Sequence, residues 1–359
     1  MMAEEPAMNR REEAIVGSLL GTAVGDALGL PYEGLSPARA PRMLGLPDRY
    51  RLFFGRGMIS DDTEHSCMVA ESLIAARNGS DFANELARRL RSWVRYVPAG
   101  VGLATLLACV KLNLGVGHDR SGVFSAGNGP AMRSAILGAA VKDFAQLREL
   151  VRTSSRVTHT DPRAEMGALT VALAAQQAAA HRTVSPSALV DELQQLCSAG
   201  DSGDLVELLR QAATSVQRGE STLQFARSLG LERGVSGYVN HTVPVALHAC
   251  WSHPTDFRSA VDSVICCGGD TDTTAAIVGG IVGSRVGKNG IPGEWLNGLR
   301  DWPRSVAWIE ALGRDVASAG EGRAARSAAR LSSVAIVSRN IFFAGVVLFH
   351  GFRRLFPPY

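Results

Sequence analysis

The chain has 359 residues, of which 46% are hydrophobic and 20% charged, a balance that excludes global disorder and predicts a globular protein. The formal net charge is only +3, so nucleic acid is not an expected partner. The six cysteines show no Cys-x-x-Cys spacing, which argues against a zinc site and a disulfide scaffold. Because the N-terminus is charged and lacks an apolar signal segment, we expect a cytoplasmic location.

Changes in composition along the chain predict four parts. They are an N-terminal tail (residues 1–11), one large domain (12–315), a linker rich in Ala, Ser, Gly and Arg (316–330), and an apolar C-terminal helix (331–359). Apolar residues recur at helical spacing almost throughout, and no alternating strand pattern bounded by hairpin turns is present. The sequence therefore predicts an all-α fold.

Two of the predicted helices carry glycine at every fourth position. The glycines are Gly17, Gly21, Gly25 and Gly29 in the first helix, and Gly279, Gly283 and Gly287 in the second. This spacing removes side chains from one helix face and allows close approach of another backbone. Each glycine costs roughly 0.5–1 kcal/mol relative to alanine, so close packing must offset the cost. Ser18 and Asp26 in the first helix favour a soluble core over a membrane span.

Four further helices are predicted from apolar periodicity and flanking polar residues. They cover residues 63–78, 164–180, 187–199 and 203–218. The second of these is so rich in alanine that we expect it to be buried.

The C-terminal segment, residues 331–356, allows three interpretations. It is apolar at both ends, but Ser338, Arg339 and Asn340 interrupt it near the middle. A membrane span needs about 20 apolar residues. The segment is therefore a helix docked on the domain, an interfacial helix in peripheral membrane contact, or a span.

Two short acidic segments are the strongest functional candidates. Residues 60–63 read Ser-Asp-Asp-Thr, and residues 268–274 read Gly-Gly-Asp-Thr-Asp-Thr-Thr. Either segment could cap a helix, because such side chains accept hydrogen bonds from the free N–H groups of a first turn. However, one helix start needs a single capping side chain, and the second segment offers two carboxylates and three hydroxyls.

Together the two segments supply four carboxylates, those of Asp61, Asp62, Asp270 and Asp272. Hard divalent cations prefer oxygen donors of this kind. Four carboxylates without cations would repel one another. We therefore predict a dinuclear Mg²⁺ or Mn²⁺ centre.

A third candidate is the glycine-flanked loop at residues 125–133, which leads into a predicted helix. Exposed N–H groups at such a position can bind phosphate. An ordinary turn with Pro130 at the first helical position explains the pattern equally well.

These segments, in this order, resemble the ADP-ribosylhydrolase (ADP-ribosylglycohydrolase) family, which includes the dinitrogenase reductase activating enzyme. The matching residues are 17–33, 60–63, 127–133, 158–161, 237–247 and 268–273. The resemblance covers residues 12–315 and leaves out the C-terminal tail. It implies a compact, orthogonal multi-helix bundle of the ADP-ribosylglycohydrolase type, with the tail as an additional apolar helix.

The resemblance also implies residue roles. The metal ligands would be Ser60, Asp61, Asp62, Asp270, Asp272 and Thr273, and serine replaces the usual threonine at the first position while keeping the hydroxyl. Glu33 would gate or assist the reaction. Gly127, Asn128 and Gly129 would hold the diphosphate, and His159 and Tyr238 would line the cleft. Either Asp62 or Asp272 would assist the attacking water as the catalytic carboxylate.

The expected reaction is hydrolysis of the bond between ADP-ribose and an acceptor, either a protein side chain or a related small compound. Cleavage of such a glycosidic bond develops positive charge on the ribose ring, and cations could orient the ribose hydroxyls and activate water. Two alternatives remain at this point: a two-metal nucleotide phosphohydrolase, and a non-catalytic ADP-ribose-binding or structural protein. The acceptor stays open.

Overall fold

A computed structural model describes residues 9–76, 79–180, 186–196, 203–322 and 330–356. In these ranges the structure is built from α-helices, and β-structure is limited to isolated bridges. In chain order the α-helices are α1 (Arg10–Gly29), α2 (Ala40–Leu44), α3 (Asp61–Ala75), α4 (Gly79–Arg95), α5 (Leu103–Asn113), α6 (Gly129–Met132), α7 (Ala135–Ala140), α8 (Phe144–Arg156), α9 (Pro162–Ala179), α10 (Pro186–Leu196), α11 (Gly203–Gln217), α12 (Thr222–Ser228), α13 (Val239–Ser252), α14 (Phe257–Ile265), α15 (Thr271–Val286), α16 (Gly293–Gly298), α17 (Val306–Ala319) and α18 (Ser333–Arg353). Short 3₁₀ helices cover Leu30–Tyr32 and Lys288–Gly290. The predicted all-α class is confirmed.

The helices predicted from periodicity are present with shifted ends. The predicted helix 63–78 is α3, which begins earlier because the Ser60 side chain caps it by accepting the Asp62 N–H at 3.3 Å. The alanine-rich helix is α9, and Asp161 caps it by accepting the Arg163 N–H at 2.9 Å. The next two predicted helices are α10 and α11, and residues 197–202 between them lie outside the described ranges.

The centre of the fold is an antiparallel pair, α1 and α15, whose glycine-bearing faces meet. A Cβ atom added to Gly21 would lie 2.1 Å from the Gly279 carbonyl oxygen, and one added to Gly17 would lie 2.2 Å from that of Gly283. Both helices are almost completely buried. The expectation of close backbone packing is confirmed, with one correction: Gly287 lies beyond the end of α15, where its φ of +65° makes it a terminator of the helix.

The C-terminal apolar helix is present as α18, and its inner face packs on the domain. Phe343 and Val346 are buried against Leu30 and Met58. The outer face stays exposed through Ile341, Leu348, Phe349 and Phe352. By length and composition, α1 with the following 3₁₀ turn and α18 could each cross a membrane, but α1 is the buried core helix described above. Peripheral membrane contact through residues 331–356 stays a prediction.

The segment predicted as a linker begins inside a helix. Helix α17 continues to Ala319 because Val316 and Ala317 are apolar and buried against the core. Residues 323–329 of that segment lie outside the described ranges. The domain limits at residues 12, 315 and 330 stay predictions.

The contact between α1 and α15 can be tested with two matched substitutions. Gly21→Ala should lower the free energy of unfolding by about 3 kcal/mol, because the new methyl group meets rigid backbone on the facing helix. Gly345→Ala lies in α18 with open space around it and should raise the stability by about 0.5–1 kcal/mol. Urea denaturation measures both values. Equal effects at the two positions would show that the backbones do not meet at Gly21.

Candidate functional site

The two acidic segments predicted from the sequence meet at the N-terminal ends of α3 and α15. The Thr273 hydroxyl donates to Asp62 Oδ2 at 3.3 Å, although the two residues are 211 positions apart. The Ser60 hydroxyl donates to the same oxygen at 3.1 Å. Asp62, Asp272 and Thr273 are all buried. The first turns of two helices, both of which favour negative charge, therefore share one cluster of oxygen atoms.

Asp26, on α1, accepts hydrogen bonds from the residues at the start of α3. This carboxylate is fully buried, and its Oδ2 accepts the Ser60 N–H at 2.8 Å, the Thr63 N–H at 3.2 Å and the Thr63 hydroxyl at 2.5 Å. The sequence pattern indicates Asp26 only as a polar residue of a core helix. The available signal was a carboxylate inside an apolar, glycine-rich helix, where it requires hydrogen-bond donors from another element.

The glycine loop reaches the second acidic segment through Asn128. Its side-chain amide donates to Asp270 Oδ2 at 2.7 Å and to the Thr242 hydroxyl at 3.0 Å, and its backbone N–H donates to the Gly237 carbonyl at 3.0 Å. Because Asp270 is held in this way, its side chain does not cap α15. The structure thus places the loop beside the acidic cluster.

His159 and Tyr238 both border this loop. A Cβ added to Gly129 would lie 2.9 Å from His159 Cε1, and Gly127 forms an isolated antiparallel bridge with Tyr238. Burial and the Arg133 charge lower the pKa of His159 to about 3, although the nearby Asp161 charge opposes this, so its ring is neutral at physiological pH. The two predicted cleft residues therefore lie next to the predicted phosphate loop.

Arg133, at the end of the same loop, is a core residue. Its guanidinium is fully buried and donates to Ser154 and to the Thr158 hydroxyl at 2.7 Å, and it lies 3.1 Å from His65 Nδ1. The Thr158 hydroxyl is in turn 2.9 Å from His159 Nδ1. Arg133 thus connects the loop to the His159 segment.

Glu33 lies at the rim, just after α1 and its 3₁₀ turn. The residue as a whole is exposed, but nearby protein atoms partly desolvate its carboxylate. This desolvation and the Asp270 charge raise its pKa, while the Arg354 charge lowers it. Glu33 in turn raises the pKa of Asp272. The predicted gating residue is therefore within electrostatic range of the second acidic segment.

The electrostatics of the cluster are unfavourable without a positive charge. Burial raises the pKa of Asp61, Asp62 and Asp272 well above the ordinary value, and the neighbouring carboxylates raise each of them further. Burial raises the pKa of Asp26 to about 6, although its hydrogen bonds from Thr63 and Ser60 oppose this. For Asp61, Asp62 and Asp272, repulsion between neighbouring carboxylates is the cause beyond burial itself.

Three carboxylate oxygens of the cluster are buried without a hydrogen-bond donor among the described residues: Asp26 Oδ1, Asp62 Oδ1 and Asp272 Oδ1. Within the same ranges, no three side chains drawn from His, Cys, Asp and Glu are grouped closely enough to hold a metal ion by themselves. The hydroxyls of Ser60 and Thr273 lie on the same carboxylate and add oxygen donors. The donor chemistry therefore fits a hard cation such as Mg²⁺ or Mn²⁺, which also keeps water ligands.

A cavity of about 650 Å³ lies away from the acidic cluster, between α3, α4 and the residues before and within α18. It is lined by Glu71, Arg88, Trp93 and Arg304 and by none of the predicted site residues. The candidate site is recognised here by its buried carboxylates.

Fold and site together describe an all-helical protein with an acidic centre formed by two helix N-termini. The chain matches the ADP-ribosylglycohydrolase family over residues 7–326. It belongs to that family, whose members are glycosyl hydrolases acting on linkages to ADP-ribose.

Individual relatives agree with this placement. ADP-ribosyl-[dinitrogen reductase] glycohydrolase of Rhodospirillum rubrum is 27% identical over 292 residues, covering 79% of this chain and 89% of that protein. ADP-ribosylhydrolase ARH3 of Homo sapiens is 25% identical over 350 residues, covering 83% and 92%. A solved structure described as an ADP-ribosylglycohydrolase-related protein complex superposes with a TM-score of 0.63 at 28% identity, covering 87% of this chain and 100% of that one.

Asp26 offers a direct test of how the site is supported. Asp26→Ala should lower the free energy of unfolding by about 2–4 kcal/mol, because two buried N–H groups and one hydroxyl lose their acceptor. Asp26→Asn keeps an acceptor oxygen and should cost less. Asp204→Ala, an exposed carboxylate in the first turn of α11, should change stability by no more than about 0.5 kcal/mol. Thermal and urea unfolding measure all three, and a loss for Asp26→Ala no larger than for Asp204→Ala would contradict this role.

Proposed function

We propose that this protein is a divalent-cation-dependent hydrolase that cleaves the N- or O-glycosidic bond between ADP-ribose and an acceptor. The acceptor is a protein side chain or a related small ADP-ribosyl compound. The observation that carries the proposal is the junction of α3 and α15, where Asp62 and Thr273 are hydrogen-bonded and carboxylate oxygens from both helix starts are buried with no donor among the described residues. Family membership supplies the class of bond.

The residues that would hold two Mg²⁺ or Mn²⁺ ions share oxygen donors and a position at the two helix starts. They are Ser60, Asp61, Asp62, Asp270, Asp272 and Thr273. Bound there, the cations would supply positive charge that orients ribose hydroxyls and lowers the pKa of water. Bound cations would also explain why the fold keeps a carboxylate cluster that burial and repulsion disfavour.

The protein's own carboxylates can assist bond cleavage by accepting a proton. Asp62 Oδ1 and Asp272 Oδ1, which carry no hydrogen bond from the described residues, are each able to accept the proton of an attacking water. We propose that one of these two carboxylates is the general base.

The loop at residues 127–129 has two roles in this proposal: it positions Asp270 and it contacts the diphosphate. The Asn128 side chain is engaged with Asp270 and Thr242, so we assign it the positioning of Asp270. Gly127 and Gly129 have no side chains where they face His159, and we propose that they and the neutral His159 ring contact the diphosphate. Tyr238, bridged to Gly127, lines the same side.

A panel of ADP-ribosylated acceptors tests this proposal. Arginine-linked and serine-linked peptides and O-acetyl-ADP-ribose are each incubated with protein that has been treated with chelator and then supplied with Mg²⁺, Mn²⁺ or neither. Chromatography measures released ADP-ribose. We expect release from at least one acceptor, only with added cation. The Asp61→Ala/Asp272→Ala variant should lose at least about 10²–10³-fold in turnover.

Asp204→Ala is the matched control, because Asp204 also stands in the first turn of a helix but is exposed on α11. It should keep the activity of the unchanged protein. Cation-independent release, or full activity of the double variant, would contradict the cation-dependent mechanism. Release of inorganic phosphate from nucleotides without release of ADP-ribose would favour a phosphohydrolase instead.

A further inference from the structure

Helix α18 lies beyond residue 326, where the match to the family ends, yet it contacts the segment that leads into the first acidic motif. Arg339 is buried and donates to Asp301 Oδ2 at 2.6 Å and to Oδ1 at 3.1 Å. Asp301 Oδ2 accepts the Ile59 N–H at 3.0 Å, and Arg339 donates to the Ile59 carbonyl at 2.5 Å. Both backbone groups of the residue before Ser60 are therefore held by this ion pair.

The C-terminal end of α18 contacts the other side of the site. Arg354, just after the helix, donates to the Glu33 carbonyl at 2.5 Å and to the Pro31 carbonyl at 3.0 Å. His350 Nε2 lies 2.9 Å from the same Pro31 oxygen. Arg39 donates to the Arg354 carbonyl. Arg354 thus bridges the turn that carries Glu33 and is itself held in place.

The Glu33 side chain depends on that turn for its position. Among the described residues its carboxylate makes no hydrogen bond or ion pair, so no side-chain partner directs it. The turn is also joined to the second acidic segment, because the Gly34 N–H donates to the Gly269 carbonyl at 2.7 Å. Gly34 has a φ of +72°, a conformation that tolerates few side chains and defines the bend. Any contact that fixes this bend therefore fixes Glu33 relative to Asp270.

We infer that Arg354 is a positioning residue that holds Glu33 at the rim of the site, and that α18 acts as a brace that keeps Arg354 there. The inference rests on the proposed function, and on the part in the hydrolysis that the family resemblance implies for Glu33. The charges agree with this geometry. The Arg354 charge lowers the pKa of Glu33, and the charges of Glu33 and Asp272 act to raise the pKa of Arg354. Helix α18, which lies outside the residues matched to the family, would thus help to position a residue of the site that the matched residues form.

The test compares full-length Arg354→Ala, Arg354→Lys and Arg353→Ala. Arg353 is the matched control, because it is exposed and makes no side-chain hydrogen bond or ion pair with the described residues. Hydrogen exchange reports the amides of residues 33–36, and steady-state kinetics on the best acceptor reports kcat and KM separately. Thermal unfolding confirms that each variant is folded.

For Arg354→Ala we expect faster exchange at residues 33–36 and a loss in kcat of about 10- to 100-fold, with a much smaller change in KM. Arg354→Lys, which keeps the charge but not the forked donor geometry, should recover part of the loss. Arg353→Ala should match the unchanged protein in both measurements. A merely structural role would lower thermal stability without changing kcat per folded molecule.

Two results would overturn the inference. Unchanged exchange at residues 33–36 in Arg354→Ala would show that Arg354 does not hold the turn, whatever the activity. Faster exchange with unchanged kcat would show that the position of Glu33 does not matter to the reaction. If the unchanged protein released ADP-ribose from no acceptor, the proposed function would fail, and Arg354 would have no catalytic group to position even where the exchange difference remained.

Discussion

The structure depends on the direct backbone contact between α1 and α15. The contacts run from Gly17 with Gly283 at one end to Gly29 with Thr271 at the other, so the end of one helix lies beside the start of its antiparallel partner. The Thr271 hydroxyl also donates to the Gly29 carbonyl at 2.8 Å. This contact brings Glu33, which follows α1, close to Asp270 and Asp272 at the start of α15. Larger side chains at the glycine positions would separate α1 from α15. This would move Glu33 away from Asp270 and Asp272.

The same arrangement concentrates negative charge. Helix N-termini favour carboxylates, and the hydrogen bonds from Ser60 and Thr273 to Asp62 add to that preference. Burial and mutual repulsion act in the other direction, as the raised pKa values of Asp61, Asp62 and Asp272 show. Repulsion of this kind is tolerated where cations offset it or where protons neutralise part of the charge. Close helix packing can thus stabilise the fold enough to retain a cluster of carboxylates that itself lowers the stability.

Features that depend on local spacing were predictable from the sequence. The glycine repeats, the cap at Ser60 and the two acidic segments are each contained in a few consecutive residues, and the family resemblance followed from the order of the motifs. Long-range partners were not predictable in this way. Nothing local to Asp26 identifies Ser60 and Thr63 as its donors, and nothing local to Asn128 identifies Asp270, which is 142 positions away. The contacts of Arg339 and Arg354 were missed because residues 331–356 were interpreted by hydropathy, which does not reveal where the polar residues of an apolar helix find partners.

If the junction of α3 and α15 binds divalent cations, calorimetric titration of chelator-treated protein with Mn²⁺ will detect them without any substrate. We expect two ions to bind per chain, and we expect this binding to be lost in the Asp62→Asn/Asp272→Asn variant, which removes two charges while keeping side-chain volume. No binding to the unchanged protein, or equal binding by the variant, would show that the carboxylates at this junction do not form a cation site.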